Sequence, residues 1–260
     1  MRAAIVIPAY DEVATIRDIA ERSLRQCPLV IVVDDGSTDG TGAALEGLPV
    51  HVVRHGRNEG KAASLWDGIQ VALAEGAECV VTLDGDGQHQ PEDVRRMLLA
   101  ANEHPHRLIV GARLNGREAY PKARRRANRF ADFWISWAAG HPIADSQSGL
   151  RLYPAALLRQ LDIRRDAGAA FTFESEALIR AARLGYTTVA IPVAALFHSA
   201  GRPSHFRPVR DIGRIAAMVA KHLLATGFYP LGLWRSLRVP ARIAHALPSH
   251  ADAAELPRRG

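Results

Sequence analysis

Two carboxylates one residue apart close an apolar run in Val80-Val81-Thr82-Leu83-Asp84-Gly85-Asp86-Gly87-Gln88-His89-Gln90-Pro91. Aspartates this close repel each other, and a divalent cation relieves the repulsion. An oxygen-only donor set suits Mg2+ or Mn2+. The β-branched run reads as a buried parallel strand, which puts the pair at its C-terminal tip, where open α/β sheets bind ligands. The plain alternative is a polar turn, since Asp and Gly are common turn residues. The rest of the chain decides between the two by whether it brings other acidic loops to the same edge.

It does so twice. Residues 3–7 are apolar and β-branched, stop at Pro8, and lead into Ala9-Tyr10-Asp11-Glu12. Ile16, Ile19, Ala20 and Leu24 have helical spacing within 15–26. A second strand over 29–33 ends in Asp34-Asp35-Gly36-Ser37-Thr38-Asp39-Gly40-Thr41, a turn-rich loop capping a short helix near 42–46. A third strand spans 50–54, and Asn58-Glu59-Gly60-Lys61 opens a helix to about residue 75. Strand and helix alternate up to the Asp84 strand, which predicts an α/β fold: a doubly wound, mostly parallel sheet with helices on both faces. In such a sheet Glu12, Asp34/Asp35 and Asp84/Asp86 share one edge. A helix over 91–103 and a strand over 108–112, ending at Arg113, continue the pattern.

The second half is less regular. It predicts a helix over 120–139, basic and then aromatic, and a polar loop from Asp145 into a short strand near 151–153. A short helix over 154–161, a helix over 171–184 and a strand over 187–193 interrupted by Pro192 follow. After a loop over 198–208, a helix over 211–226 carries Ile212, Ile215, Ala216, Val219, Leu223 and Leu224 along one side. Glu174 and Glu176 are two residues apart on a helix, about 200° around it, so at most one of them faces a shared site.

With 260 residues and 48% apolar content the chain supports a substantial core. Two cysteines without metal-type spacing argue against a disulfide framework and fit a reducing cytosol. No apolar run is long enough for a spanning helix. The net charge of +6 is concentrated in Lys122-Ala123-Arg124-Arg125-Arg126-Ala127-Asn128-Arg129 and in the stretch from Arg202 onward. Such clusters attract phosphates, anionic lipid or nucleic acid.

Ile5-Val6-Ile7-Pro8-Ala9-Tyr10-Asp11-Glu12, Val32-Val33-Asp34-Asp35-Gly36-Ser37, Asn58-Glu59-Gly60-Lys61 and Asp84-Gly85-Asp86-Gly87-Gln88-His89, in that order, resemble glycosyltransferase family 2, which has the GT-A fold. Within it the chain is similar to polyprenol-phosphate mannose and glucose synthases. The likeness is strongest over 3–113 and continues more weakly through Ser148-Gly149-Leu150-Arg151 and Phe173-Glu174-Ser175-Glu176. It implies an inverting transfer of a hexose from a UDP- or GDP-type nucleotide sugar. Pro8, Tyr10 and Glu12 would line the base and ribose pocket, with Val33 and Asp35 also on the base. Asp84 and Asp86 would bind the diphosphate through Mg2+ or Mn2+, with Gln88 as a further oxygen ligand, and Arg113 would approach the sugar phosphate. Gly85 lets the backbone come close to the ligand, and Lys61 near a helix start can meet a phosphate.

The resemblance divides the chain into a glycosyltransferase domain over 1–200, with a nucleotide-sugar half over 1–113 and an acceptor half over 114–200. A basic amphipathic segment follows over 201–244, and 245–260 is expected to be disordered. Acceptor binding is expected from His198, Arg202, His205 and Arg207. Where polyprenol-phosphate synthases usually carry Arg and Lys, this chain has His198 and His205, which bind phosphate only when protonated. Glu174 is the choice for a base on the acceptor side. The acceptor is read as a lipid or a polyprenol phosphate, with the protein cytoplasmic at the inner face of the membrane. The amphipathic segment lies in the membrane interface, or packs on the core or on a second copy. A sugar-phosphate nucleotidyltransferase is disfavoured because the loop after the first strand lacks glycines. A non-enzymatic protein binding nucleic acid or a membrane surface leaves the three acidic strand ends unexplained.

Overall fold

The computed structural model describes residues 1–116, 122–161, 173–194 and 208–244. The first strand, β1 (Ala3–Ala9), is followed by α1 (Ile16–Leu24), β2 (Val30–Asp34), β3 (His51–Arg54), α2 (Lys61–Ala74), β4 (Cys79–Thr82), α3 (Asp93–Glu103) and β5 (Leu108–Asn115). Then come α4 (Lys122–Ala139), β6 (Arg151–Pro154), α5 (Ala155–Leu158), α6 (Phe173–Arg183), β7 (Thr188–Ala194), α7 (Pro208–Ala225) and α8 (Pro230–Arg238). The strands form one seven-stranded sheet in the order β3-β2-β1-β4-β6-β5-β7.

The central strands β1, β2 and β4 are apolar on both sides up to their C-terminal ends because both faces are covered. Alternate residues go to opposite sides. Ala4 and Val6 join Ile31, Val33 and Val80 in a core under α2, α4 and α6, whereas Ile5 and Ile7 join Val30, Val32 and Val81 in a core under α1 and α3. The predicted doubly wound, mostly parallel sheet is therefore the observed one.

Its one departure is β6, antiparallel to both β4 and β5, while the other six strands share a direction. A reversed strand brings its N-terminal end, not its C-terminal end, to the edge where the parallel strands finish. The loop entering β6 therefore meets the loops leaving β1, β2, β4 and β5. Smaller differences have local causes. The short helix expected near 42–46 is a single 3-10 turn, Ala43–Leu45. β7 runs through Pro192 to Ala194, because it lies at the end of the strand order, where a missing N–H is tolerated.

His141, in the loop after α4, ties that loop to β7. Its Nε2 accepts the Thr188 N–H at 3.2 Å. Burial pushes its pKa down to about 4 from 6.5. Between those values the unfolded chain takes a proton that the folded chain refuses. Stability therefore falls as the pH drops through this window, by up to about 1.4 kcal/mol per unit. Urea midpoints measured from about pH 6.5 to about pH 5 are expected to decline, and His141→Asn to flatten the slope.

Candidate active site

The loops after β1 and β2 are knitted together by side-chain to backbone bonds. Asp11 N–H donates to Ser37 Oγ at 2.9 Å, Glu12 N–H to Thr41 Oγ1 at 2.8 Å, and Thr38 N–H to Asp11 Oδ1 at 2.9 Å. Thr15 Oγ1 donates to the Gly85 carbonyl at 2.7 Å, fastening the β1 loop to the Asp84–Asp86 loop. Asp35 is buried and accepts the N–H groups of Glu59 and Gly60, each at 2.8 Å. His55 lies between Asp35 at 2.7 Å and Asp67 at 3.0 Å. Pro8, Tyr10 and Glu12 are partly exposed beside this loop cluster. The Val33 side chain is fully buried against α2, where Gly68 makes room for it, which leaves its backbone as the part that can meet a base.

At the next strand end, Lys61 in the first turn of α2 bridges Asp84 Oδ1 at 2.6 Å and Glu174 Oε1 at 2.7 Å. Burial alone would lower the Lys61 pKa, but the two carboxylates overcome it and hold the ammonium well above the ordinary lysine range. Burial likewise acts to raise the Asp84 pKa, and Lys61 outweighs it, leaving this carboxylate below the usual value. Asp86 is shifted the other way, first by burial and then by the neighbouring Asp84 charge. Gln88 donates to Asp86 from its backbone at 3.0 Å and from Nε2 at 2.7 Å. His89 is buried, with its pKa pushed down to about 4 chiefly by desolvation, so it is neutral near pH 7. Glu174 turns to Lys61, while Glu176 turns away to Arg180 at 2.7 Å, as their helical offset requires.

Among the described residues no three His, Cys, Asp or Glu side chains form a protein-only metal cage. Two repelling carboxylates and an amide are instead a donor set for a hard cation that takes its other ligands from substrate phosphates, as Mg2+ commonly does. The residues present fit such an ion.

The loop entering β6 closes the other side. Gly149 lies so near Asp84 that a Cβ there would collide with the carboxylate, and its carbonyl accepts Thr82 Oγ1 at 2.9 Å. Arg151, fully buried, donates to the Ser148 carbonyl at 2.8 Å, to the Ser146 carbonyl at 2.7 Å and to the Glu174 carbonyl. Asp145 grips Arg113 through its backbone N–H at 2.8 Å, Nε at 2.8 Å and a terminal nitrogen at 2.7 Å. Asp145 is thus a partner for Arg113. Beyond this pair opens a cavity of about 380 Å³ lined by Arg113, Lys122, Arg125, Arg126, Asn128, Arg129, Asp132 and Asp145. Arg113 lines this cavity, and its charge also acts to lower the pKa values of Asp84 and Asp86.

Lys61, Asp84, Asp86, Gln88 and Glu174 are therefore brought together at one sheet edge. Gly85 lies against the Pro8 carbonyl, and Arg113 stands one strand end away, turned toward the basic cavity. His198, Arg202, His205 and Arg207 lie outside the described residues, as does the tail from residue 245. Sequence reasoning missed His55, Asp67 and Arg151 as site-building residues. His55 had a usable signal, standing one residue past β3 at the same edge as Asp35.

A mostly parallel α/β sheet with a DxD pair at the switch between its halves defines a GT-A-type transferase fold. The family model for glycosyl transferase family 2 matches residues 4–161, and the chain belongs to that family. It is 30% identical over 203 residues to an undecaprenyl-phosphate mannosyltransferase from Micrococcus luteus, covering 74% of this chain and 83% of that one. It is likewise 30% identical over 203 residues to a polyprenol monophosphomannose synthase from Mycolicibacterium smegmatis, covering 74% and 76%. Among solved structures, glucosyl-3-phosphoglycerate synthase from Mycobacterium tuberculosis with Mg2+ and UDP superposes with a TM-score of 0.58 at 23% identity, over 86% of this chain and 78% of that one.

Proposed function

We propose that this glycosyltransferase moves a hexose from a UDP- or GDP-type sugar to the phosphate of a polyprenyl lipid, with inversion and with Mg2+ or Mn2+. The observation that carries this reading is the basic cavity lined by Arg113 and by four cationic side chains of α4. Five cationic side chains around one cavity suit a phosphate far better than a neutral hydroxyl. The names of the relatives at 30% identity, both polyprenol-phosphate mannosyl transferases, support the same acceptor class.

Pro8, Tyr10, Glu12 and Asp35 hold the nucleoside in this reading. Asp84, Asp86 and Gln88 would hold the cation, which when bound offsets charge on the departing diphosphate. A phosphate oxygen of the acceptor attacks the anomeric carbon as its bond to the diphosphate oxygen breaks, and the nucleoside diphosphate leaves. The attacking group is already an anion, so no proton must be removed. Glu174 then positions Lys61, and through it Asp84, rather than serving as a base.

The acceptor assignment is tested by Arg125→Ala with Arg129→Ala. Acceptor KM is expected to rise at least about tenfold, with the nucleotide-induced shift in Tm unchanged. An unchanged acceptor KM would place the acceptor elsewhere.

A further inference from the structure

The transfer described above uses neither His55 nor Asp67. His55 stands one residue past β3, and its backbone N–H donates to the Asp34 carbonyl at 2.9 Å. Its ring is buried and reaches from Asp35, just after β2, to Asp67 on α2. Nδ1 lies 2.7 Å from Asp35 Oδ1, and Nε2 lies 3.0 Å from Asp67 Oδ2. An ionised carboxylate only accepts, so at Asp35 the ring is the donor. A histidine that only tied β3 to α2 would need Asp67 alone. Its second bond falls on the carboxylate that the nucleoside reading places at the base.

That bond decides what Asp35 has left to offer. Each carboxylate oxygen has about two acceptor positions. Oδ1 takes the Glu59 N–H at 2.8 Å and the His55 Nδ1–H at 2.7 Å, which fills it. Oδ2 takes the Gly60 N–H at 2.8 Å. Gly60 has a φ of 95°, a left-handed turn that lets two successive amides reach one carboxylate. Among the described residues no other group bonds this carboxylate, which leaves one position, on Oδ2. The carboxylate is not able to turn and present another. It is 3% exposed, an amide holds each oxygen, and the Asp35 N–H is itself bonded to the Ala9 carbonyl at 2.8 Å. Asp67 in turn keeps the imidazole from rotating away.

The bases of the two donor classes ask different things of such a group. Guanine presents two adjacent donors on one edge, N1–H and an N2–H, which a carboxylate meets with one oxygen each. Uracil presents a single donor, N3–H, flanked by two carbonyl oxygens. These repel the second carboxylate oxygen, and donors already bound to that oxygen offset the repulsion. Asp35, with Oδ1 filled and one position on Oδ2, matches uracil and leaves a guanine N–H unmet. We propose that His55, held by Asp67, is a positioning residue that sets Asp35 for a uracil base, so that the sugar donor is a UDP sugar and not a GDP sugar. The proposal rests on the reading above in which Asp35 meets the base.

The test titrates the full chain, with Mn2+ present, against UDP and GDP and reads both Kd values by calorimetry. UDP is expected to bind at least about tenfold more tightly than GDP, the effect of one unmet buried N–H. His55→Ala opens a position on Oδ1 and is expected to lower that preference at least about fivefold. His55→Asn, whose side-chain N–H can stand where Nδ1–H does, is expected to keep it. A purely structural His55 would weaken both nucleotides alike and leave their ratio unmoved. An unchanged preference in His55→Ala, or its loss in His55→Asn, would overturn the proposal. So would a wild-type protein that binds GDP as tightly as UDP, a result that needs no variant to fold and leaves the donor-site reading standing. Binding of neither nucleotide would refute both.

Discussion

Replacing Asp86 with Ala is expected to lower kcat/KM about a thousandfold. The effect is specific to Asp86 in one respect. Asp84 is paired with Lys61 at 2.6 Å and Gly149 packs against it, so its removal also takes one of the two carboxylates from the partly buried Lys61 ammonium. Asp86 is bonded within its own loop to Gln88, and its carboxyl pKa is raised by burial and by Asp84. Removing it relieves a repulsion in the cation-free protein. The variant should therefore be as stable as wild type or slightly more so, yet lose the rise in Tm that Mn2+ and a nucleoside diphosphate together produce. That rise follows RT ln(1 + [L]/Kd), so a wild-type shift at ligand near 100 Kd corresponds to about 2.7 kcal/mol. Thermal scans with nucleotide alone, Mn2+ alone and both would check it.

Arg151→Met is expected to be the most destabilising single change in the site. The guanidinium satisfies the carbonyls of Ser146, Ser148 and Glu174 in a fully buried position. Methionine fills much of the volume and removes a buried charge, but leaves three acceptors unmet at about 1–3 kcal/mol each. A net loss of about 3 kcal/mol or more is expected from urea unfolding, partly recovered by Arg151→Lys, which cannot reach all three carbonyls. Donor affinity should fall as well, because the same bonds hold Gly149 against Asp84 and keep Glu174 beside Lys61.

Local sequence made much of this legible. The apolar runs at 3–7, 29–33 and 80–83 end abruptly in acidic loops, the last two of them glycine-bearing, and a parallel sheet must gather those loops at one edge. The offset of Glu174 and Glu176 already forbade both from facing the site. The slot and direction of β6 were not legible. Its four residues pair with strands far away in the chain, and nothing in Arg151-Leu152-Tyr153-Pro154 itself says that it enters between β4 and β5 in reverse. That hidden pairing delivers Gly149, Arg151 and Asp145 to the site. Nor was it legible that the Val33 side chain belongs wholly to the core, which leaves only its backbone for a ligand. The basic run at 122–129 was visible as a cluster, but its place beside Arg113 depends on how α4 crosses the sheet.

The central claim is tested most directly by one transfer assay. The full chain is incubated with Mn2+, vesicles carrying a polyprenyl phosphate, and a panel of UDP- and GDP-sugars labelled in the sugar. The label from one donor should move into the lipid fraction as an acid-labile glycosyl phosphate, only with the cation present and not with Asp86→Ala. If no donor labels the polyprenyl phosphate while a nucleotide sugar still raises the Tm in the presence of Mn2+, the acceptor assignment is wrong.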